Sequence, residues 1–537
     1  WEYDLYYSRS QTNLDDKLHW PINSAIENFF TSRILGPQLG TTVGFPVYHE
    51  PNLANLYKAL TPQEYASFIG IDQTQSNAWT QNINLQFNNT EVFSLPAGAV
   101  GMAGLIQVGN QAWNNPVDPN VAAGNFYGLT ATAGSGTRNN YAAATEIRAP
   151  ILSTLTADAS VRYDHYGNQN VGGGDSKATY KLGLEYRPVE SLLMRGNYAT
   201  AFRAPDMAYT FGGQSGFYDP QQTDYYVCAK YYPNLALSNC PDFQSQTVFT
   251  IHRGNSALKS VTAKSYGFGT VWSPNSNFNA SADYYNIRIA NEVELQNLDQ
   301  ILRTDSQCLL GNLDPTTPTC QAALAEVVRG PVSGNAANSE AIQNLNVLPI
   351  NIANEHVSGI VSSLKYSFDL GRWGNLGLQS QYNVTLTHRA QQYPDDPTND
   401  LLHNPFYSSE FKTIANASAT WTIDKFSGTL IATRFGRTPN YYAGLDPAGY
   451  AAPCSTTAQG YTSCPGTVAP WILYNATLTY GVTDDITLTG AVNNIRNKMP
   501  PYDSTAVNYA YYNLVNYNPY GRSYWLEVDW RFGRSKG

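Results

Sequence analysis

The chain has 537 residues, of which 14% are charged, with a formal net charge of −9 at pH 7 and a mean hydropathy of −0.35. Its longest stretch without a polar side chain, residues 95–106, is well short of the roughly twenty residues that a transmembrane helix needs, which excludes helical spans. The acidic balance also provides no basic stripe that could neutralise phosphates, so no nucleic-acid partner is expected.

Alternation of apolar and polar residues is the main pattern along the chain. Near the C-terminus, Tyr524, Leu526 and Val528 alternate with Glu527 and Asp529. Successive side chains of a strand point to opposite faces, so this pattern predicts strands with one apolar and one polar face. Sixteen strands are predicted, beginning near Trp1, Asn77, Ala99, Arg138, Thr154, Lys177, Ser191, Thr262, Asn277, His356, Asn375, Tyr407, Ser427, Pro470, Asp485 and Pro519.

The links between these strands alternate between short and long without exception. Short links, such as residues 187–190, 273–276 and 424–426, alternate with links of about twelve to sixty residues, as in outer-membrane barrels with short periplasmic turns and long extracellular loops. A soluble β-sandwich is the alternative, but it has no reason to place its long links at one end. The prediction is an all-β fold, a transmembrane antiparallel β-barrel, and no linker divides residues 1–537 into separate domains.

Some of the long links contain short helical patterns. Residues 21–34 carry apolar residues at helical spacing, and Thr61 and Glu64 flank Pro62 as in a capping box with proline at the first helical position. Further short helices are predicted around residues 298–302 and 321–328. We expect these helices to pack the small cores of the loops themselves.

Six cysteines form three local pairs, and all of them fall in long links. The pairs are Cys228 with Cys240, Cys308 with Cys320 and Cys454 with Cys464. Local pairing predicts three disulfides in an oxidising compartment. Zinc is a poor alternative because no pair has a nearby histidine or second cysteine pair at ligand spacing.

Patterns for catalysis are weak. Residues 213–216 lack the second glycine of a nucleophile elbow, and Ser256 with Lys259 forms a Ser-x-x-Lys pattern that often arises by chance. His388 and His403 flank three aspartates, Asp395, Asp396 and Asp400, but their spacing is not that of a calcium loop. We therefore predict a protein that is not an enzyme and has no catalytic residue, metal site or cofactor.

Several motifs together resemble those of a known family. Residues 198–205 (YATAFRAP) resemble the strand-to-loop signature of TonB-dependent outer-membrane receptors, and Arg253-Gly254-Asn255 with Leu258-Lys259 and Ser265-Tyr266 is similar to their downstream barrel motif. Residues 492–495, 500–502 and the closing strand from Gly521 to Phe532 add to the likeness, and residues 35–40 with 46–48 resemble the long-loop receptors of proteobacteria. The resemblance covers essentially the whole chain.

Two departures from the family pattern bear on the interpretation. Ser260-Val261 stand where the family usually has proline and glutamate, so no family role is carried over to that loop. Family members also carry an N-terminal plug domain and a barrel of twenty-two strands. We therefore expect residues 1–537 to be a receptor barrel domain that lacks the plug and the first strands, and Trp1 to Ser10 not to pair with Ser523 to Phe532.

The resemblance implies an active transport receptor in the outer membrane of a Gram-negative bacterium, with its long loops extracellular. It would bind a scarce or bulky nutrient, such as a ferric siderophore, cobalamin or an oligosaccharide, and import it with energy from the TonB-ExbB-ExbD system acting through the plug. Outer-membrane lipid, lipopolysaccharide and a surface lipoprotein are further expected partners. A passive porin-like channel and a surface docking or adhesion barrel remain the alternatives.

Aromatic clusters in the loops are the candidate ligand-binding residues, because their rings could stack on sugars or catecholate rings. The interfacial or loop-packing role that tyrosines commonly play is the competing interpretation. The candidates are Tyr225, Tyr226, Tyr231, Tyr232, Tyr509, Tyr511 and Tyr512.

Overall fold

The computed structural model describes residues 1–169, 173–333, 339–391, 398–403, 410–440, 455–456, 462–463, 466–505 and 510–532. Sixteen long strands, numbered here β1–β16 in chain order, form one antiparallel sheet, as predicted. They are Glu2–Pro21, Ile69–Leu95, Gly98–Asn115, Gly134–Leu152, Leu155–Gln169, Gly174–Val189, Leu192–Arg203, Val261–Asn275, Phe278–Leu295, Pro349–Asp369, Asn375–Gln391, Thr413–Ile423, Phe426–Phe435, Trp471–Gly481, Ile486–Asn493 and Ser523–Trp530.

Each strand pairs with its neighbours in sequence, so the sheet is an up-and-down barrel wall. A two-residue strand, Asn399–Asp400, adds to the end of β11. The long strands form a single layer, whereas a sandwich would stack two sheets with a dry core between them. The predicted all-β barrel fold is confirmed.

Link lengths alternate as predicted, with one exception. The turns after β2, β4, β6, β8, β10, β12 and β14 are short, and the links at the other rim are long. The exception is the link from β5 to β6, where only residues 170–173 separate the two strands. The prediction of a long link was wrong there because β5 continues to Gln169 and β6 begins at Gly174, before the predicted Lys177.

The two faces of the wall differ in chemistry. One face carries exposed apolar side chains such as Leu182, Phe268 and Leu526, which are 55%, 62% and 75% exposed. The other face carries ion pairs between strands, including Arg195 with Asp283 at 2.7 Å. An apolar outer face suits lipid and a polar inner face suits a wet lumen.

The first and last strands are the free edges of this wall. β1 pairs with β2 alone and β16 pairs with β15 alone among the described residues. From Glu2 to Trp20, and from Ser523 to Trp530, every residue is exposed. The expectation that these two segments do not pair is therefore confirmed.

Helices occur only in the links of the described chain, and the four predicted ones are present with shifted ends. Thr61 and Glu64 form the reciprocal hydrogen bonds of a capping box. The α-helices are Asn23–Leu35, Pro62–Phe68, Pro119–Ala122, Met207–Phe211, Tyr225–Tyr231, Leu298–Leu309 and Pro318–Glu326. None of the helices described here has the length and apolar character needed to cross a membrane.

Candidate binding site

Two long links fold together into one unit at the rim opposite the short turns, and we call this unit the cap. It consists of residues 204–260, between β7 and β8, and residues 296–333 and 339–348, between β9 and β10. Its four-stranded sheet runs in the order Ser215–Gln222, Gln246–His252, Ile342–Val347 and Val327–Arg329. The two links are joined by a parallel pairing of Thr250, Ile251 and His252 with Leu345, Asn346 and Val347.

The cap has a hydrophobic core of its own. Val248 from one link packs with Ile301, Leu302 and Leu345 from the other. Two of the predicted disulfides brace the helices around this core: Cys228 to Cys240 and Cys308 to Cys320. Those two predictions are confirmed, whereas Cys454 and Cys464 lie outside the described residues.

A buried arginine links the two parts of the cap electrostatically. Arg329 donates to Asp224 at 2.8 Å and to Asp305 at 2.7 Å, and all three side chains are at most 11% exposed. Its guanidinium also lies over the ring of Tyr226, 4.9 Å from the centroid. Since an uncompensated buried charge is costly, each of the three charges depends on the others.

Two candidate tyrosines help to fasten the links together. Tyr226 is 5% exposed, and its hydroxyl donates to Glu340 at 3.3 Å. Tyr231 donates to the same carboxylate at 2.8 Å, and Lys230 pairs with it at 2.5 Å. The hydrogen bond from Lys230, followed by that from Tyr231, holds the pKa of Glu340 below its ordinary value. Loop packing accounts for Tyr226 and Tyr231.

The other two tyrosines of this cluster line a groove on the cap. Tyr225 and Tyr232 line a cavity of about 390 Å³ together with Arg303 and Gln307, and Leu235 is among its apolar side chains. The guanidinium of Arg303 stacks on Tyr225, 4.3 Å from the ring centroid. Burial and the hydrogen bond to Asp299 raise the pKa of Tyr225 to about 12, so this hydroxyl is neutral at physiological pH.

A second cavity, of about 520 Å³, opens on the inner face below the cap. Arg138, Arg162 and Arg203 contribute to its lining, together with Asp164 and Asp206. These five side chains give the cavity an excess of positive charge.

Arg138 connects this cavity to the base of the cap. It donates to the carbonyl of Pro205 at 2.7 Å and lies over Tyr166, 5.2 Å from the ring centroid. The amide oxygen of Gln111, suitably oriented, accepts two further hydrogen bonds from it. Arg138 therefore anchors the chain at the junction between the end of β7 and the start of the cap.

The C-terminal tyrosines are divided between the surface and the interior. Tyr511 is 38% exposed, and its ring lies 5.5 Å from that of Tyr502. Tyr512 is half-buried, and Tyr509 lies outside the described residues. The aromatic anchor of this loop is Tyr517, buried against Trp471. No contact among the described residues places this tyrosine cluster next to the groove.

Only part of the histidine and aspartate pattern is described, and its histidines contact carboxylates. His388 makes 2.7 Å contacts with both Glu355 and Glu410, and His403 contacts Asp400 at 2.8 Å. Asp395 and Asp396 lie outside the described residues, and within the described residues no group of three or more His, Cys, Asp or Glu is arranged to hold a metal ion.

A comparison with known protein families identifies the family of this barrel wall. Residues 1–495 match the family described as TonB dependent receptor-like, beta-barrel. The chain belongs to this family. Barrels of TonB-dependent receptors reside in the outer membrane of Gram-negative bacteria. A search of curated proteins found no match.

Solved structures of TonB-dependent receptors have the same fold. The siderophore receptor PirA from Acinetobacter baumannii is 13% identical with a TM-score of 0.55, and the alignment covers 98% of this chain and 60% of PirA. A mutant of the ferric enterobactin receptor PfeA from Pseudomonas aeruginosa gives the same identity and TM-score, covering 98% and 58%. The pyoverdine receptor FpvA from that species is 11% identical with a TM-score of 0.51, covering 86% and 54%. The chain thus spans about three fifths of the length of the first receptors it matches.

Sequence patterns missed the arginines that organise this region, Arg138, Arg303 and Arg329. One signal was available for Arg329, which follows Val327 and Val328 in a short apolar segment. A charge in such a segment is either solvated at an edge or buried with acidic partners. Its partners come from two distant links, so spacing alone could not identify them.

Proposed function

We propose that this chain forms the wall and outer cap of an outer-membrane receptor that binds a scarce nutrient at its extracellular loops and imports it. The observation that carries the proposal is the family match over residues 1–495. The cap supports it, because a groove on a rigid, disulfide-braced unit is suited to selective binding, whereas a filter for diffusion needs no such unit.

The ligand class that we propose is a ferric siderophore. PirA, PfeA and FpvA are described as receptors for siderophores, ferric enterobactin and pyoverdine. The groove beside Arg303 and the cavity beside Arg138 combine aromatic and cationic side chains, which suits an anionic ligand with aromatic rings. Neutral oligosaccharides have neither the charge nor the aromatic rings that these side chains would recognise.

The energy source and the remaining parts of the receptor belong to the same proposal. We propose that further strands close the gap between β1 and β16, that a plug fills the lumen, and that the TonB-ExbB-ExbD system acts through this plug. The two exposed edges of the wall support this, since unpaired strand edges would be unstable in lipid.

Uptake by cells that carry the intact receptor tests the proposal. With iron-limited cells, we expect accumulation of a labelled ferric siderophore to require both the receptor gene and TonB. Equal uptake with and without TonB, together with ion conductance of the purified receptor, would instead indicate a passive channel. Surface binding of a lipoprotein without uptake would indicate a docking barrel.

A further inference from the structure

Four basic residues form a continuous row across four neighbouring strands of the wall. Lys264 on β8 lies directly opposite Arg288 on β9. Arg288 lies opposite His356 on β10, and His356 lies opposite Arg389 on β11. We call these four residues the basic row.

The basic row belongs to the outer face of the wall. Lys264 is on the same side of β8 as Tyr266 and Phe268, because side chains two apart share a face. Asn286, on the same face of β9, contacts the Nε2 atom of His356 at 2.8 Å, and this contact extends the face to β10. Lys264, Arg288 and Arg389 are exposed, and His356 is half-buried.

The height of the row is that of a membrane surface. Lys264 and Arg288 lie about ten residues along their strands from the short turn that joins Asn275 to Phe278. His356 and Arg389 lie slightly further along their strands from the turn between β10 and β11. At about 3.3 Å per residue and a tilt of about 45°, this distance corresponds to the apolar band of roughly 25 Å. Below the row the face is aromatic, with Phe268 against Tyr284 at 5.1 Å.

Among the described residues, the cations of the row have no acidic partners that would offset their mutual repulsion. Like charges directly opposite each other on adjacent strands destabilise a sheet. Within the described chain, no salt bridge engages Lys264, Arg288 or Arg389. The nearest acid in the register is Asp400 opposite Arg389, at one end of the row, and its carboxylate contacts His403.

We propose that the basic row binds the phosphate groups of a lipid headgroup in the outer leaflet of the membrane. Three cations directly above a lipid-facing aromatic band meet the plane at which headgroup phosphates lie, and three cations spread over four neighbouring strands match a lipid with more than one phosphate. The proposal rests on the outer-membrane placement proposed above, but not on import of any nutrient.

The test uses the complete receptor, purified from outer membranes and stripped of lipid by detergent exchange, with lipid A as the probe. We compare wild type with the triple variant Lys264→Gln, Arg288→Gln, Arg389→Gln. Each cation near an anionic surface accounts for about fivefold in affinity, so the triple variant should bind roughly a hundredfold more weakly. Lipid A without its phosphates should bind wild type as weakly as intact lipid A binds the triple variant.

A pair of single variants provides the matched comparison. Lys264→Gln removes one cation from the outer face, and Lys365→Gln removes one from the inner face of β10. Only Lys264→Gln should lower the affinity for lipid A. Both single variants should keep the heat-modifiable electrophoretic mobility of a folded barrel. The pair therefore tests the proposal even if the triple variant misfolds. Equal losses in the two single variants, unchanged binding in a folded triple variant, or binding of inorganic phosphate as tight as that of lipid A would overturn the proposal. Loss of siderophore uptake with intact lipid binding would instead count against the proposed function alone.

Discussion

Arg329 donates a 2.8 Å hydrogen bond to Asp224, a residue of the other link of the cap. The pair joins two parts of the chain that are separated by the whole of β8 and β9. With Asp305 it forms a buried cluster of one positive and two negative charges. This buried cluster therefore joins the two links of the cap to each other.

Removing Arg329 should destabilise the cap more than any surface ion pair does. Arg329→Met leaves two buried carboxylates without their cation, which typically costs about 3–5 kcal/mol. Hydrogen exchange and limited proteolysis of the cap should both report the loss. The control is Arg303→Met, which breaks an exposed pair with Asp299 and should cost less than about 1 kcal/mol. Equal protection of the two variants would contradict this account.

The cap should lose stability in acid because of Glu340. Its pKa is lowered below the ordinary value of 4.5 in the folded protein, chiefly by the hydrogen bond from Lys230. A carboxyl with a depressed pKa stabilises the folded state above its unfolded pKa and loses that contribution as the pH falls through the folded pKa. Hydrogen-exchange protection of the cap should therefore be constant around neutral pH and should decline as the pH falls below the ordinary pKa of 4.5.

Glu340→Gln should flatten this acid decline and lower protection at neutral pH. Glu27→Gln, in the helix Asn23–Leu35 outside the cap, serves as the control and should leave the profile unchanged. If the profiles of wild type and Glu340→Gln coincide, the carboxylate does not fasten the cap.

Replacing the two described disulfides should loosen the cap and leave the wall intact. Each closes a loop with a sequence separation of 12 residues, for which the chain-entropy account gives about 3 kcal/mol. Serine variants of Cys228 with Cys240 and of Cys308 with Cys320 should become protease-sensitive in the cap. Their heat-modifiable migration as folded barrels should persist, and loss of that migration would show that the disulfides stabilise more than the cap.

Among the candidate tyrosines, those in the groove should matter for binding. Tyr232→Ala and Arg303→Met should each weaken binding of the transported siderophore about tenfold, or ~1.4 kcal/mol. Tyr218→Ala changes a tyrosine that is 72% exposed on the edge strand of the cap, outside the groove, and should leave affinity unchanged. Equal affinities in titrations of all three variants would exclude the groove as the binding site.

The wall was predictable from the sequence because lipid imposes a strict pattern on it. Where one face meets lipid, apolar residues must recur at every second position, as at Tyr524, Leu526 and Val528. Beyond the membrane both faces meet water and the pattern fades. Residues 69–76 therefore gave no strand signal, although β2 begins at Ile69.

The cap was not predictable in the same way. Its helices have local signals, such as the helix that starts at Leu298 after the capping side chain of Asn297. The parallel pairing of Thr250 with Leu345 has none, because the residues come from different links and the contact depends on the whole tertiary arrangement. For the same reason, the sequence does not show that Tyr226 is buried while Tyr225 is partly exposed.

The central claim is that the cap faces outward from the cell while the short turns face the periplasm. Labelling of intact cells with a membrane-impermeant maleimide tests it most directly, using the complete receptor with either Val332→Cys in the cap, where the side chain is 73% exposed, or Arg372→Cys in the turn between β10 and β11. We expect Val332→Cys to react on intact cells and Arg372→Cys to react only after the outer membrane is permeabilised. Reaction of Arg372→Cys on intact cells, with Val332→Cys protected, would contradict the account.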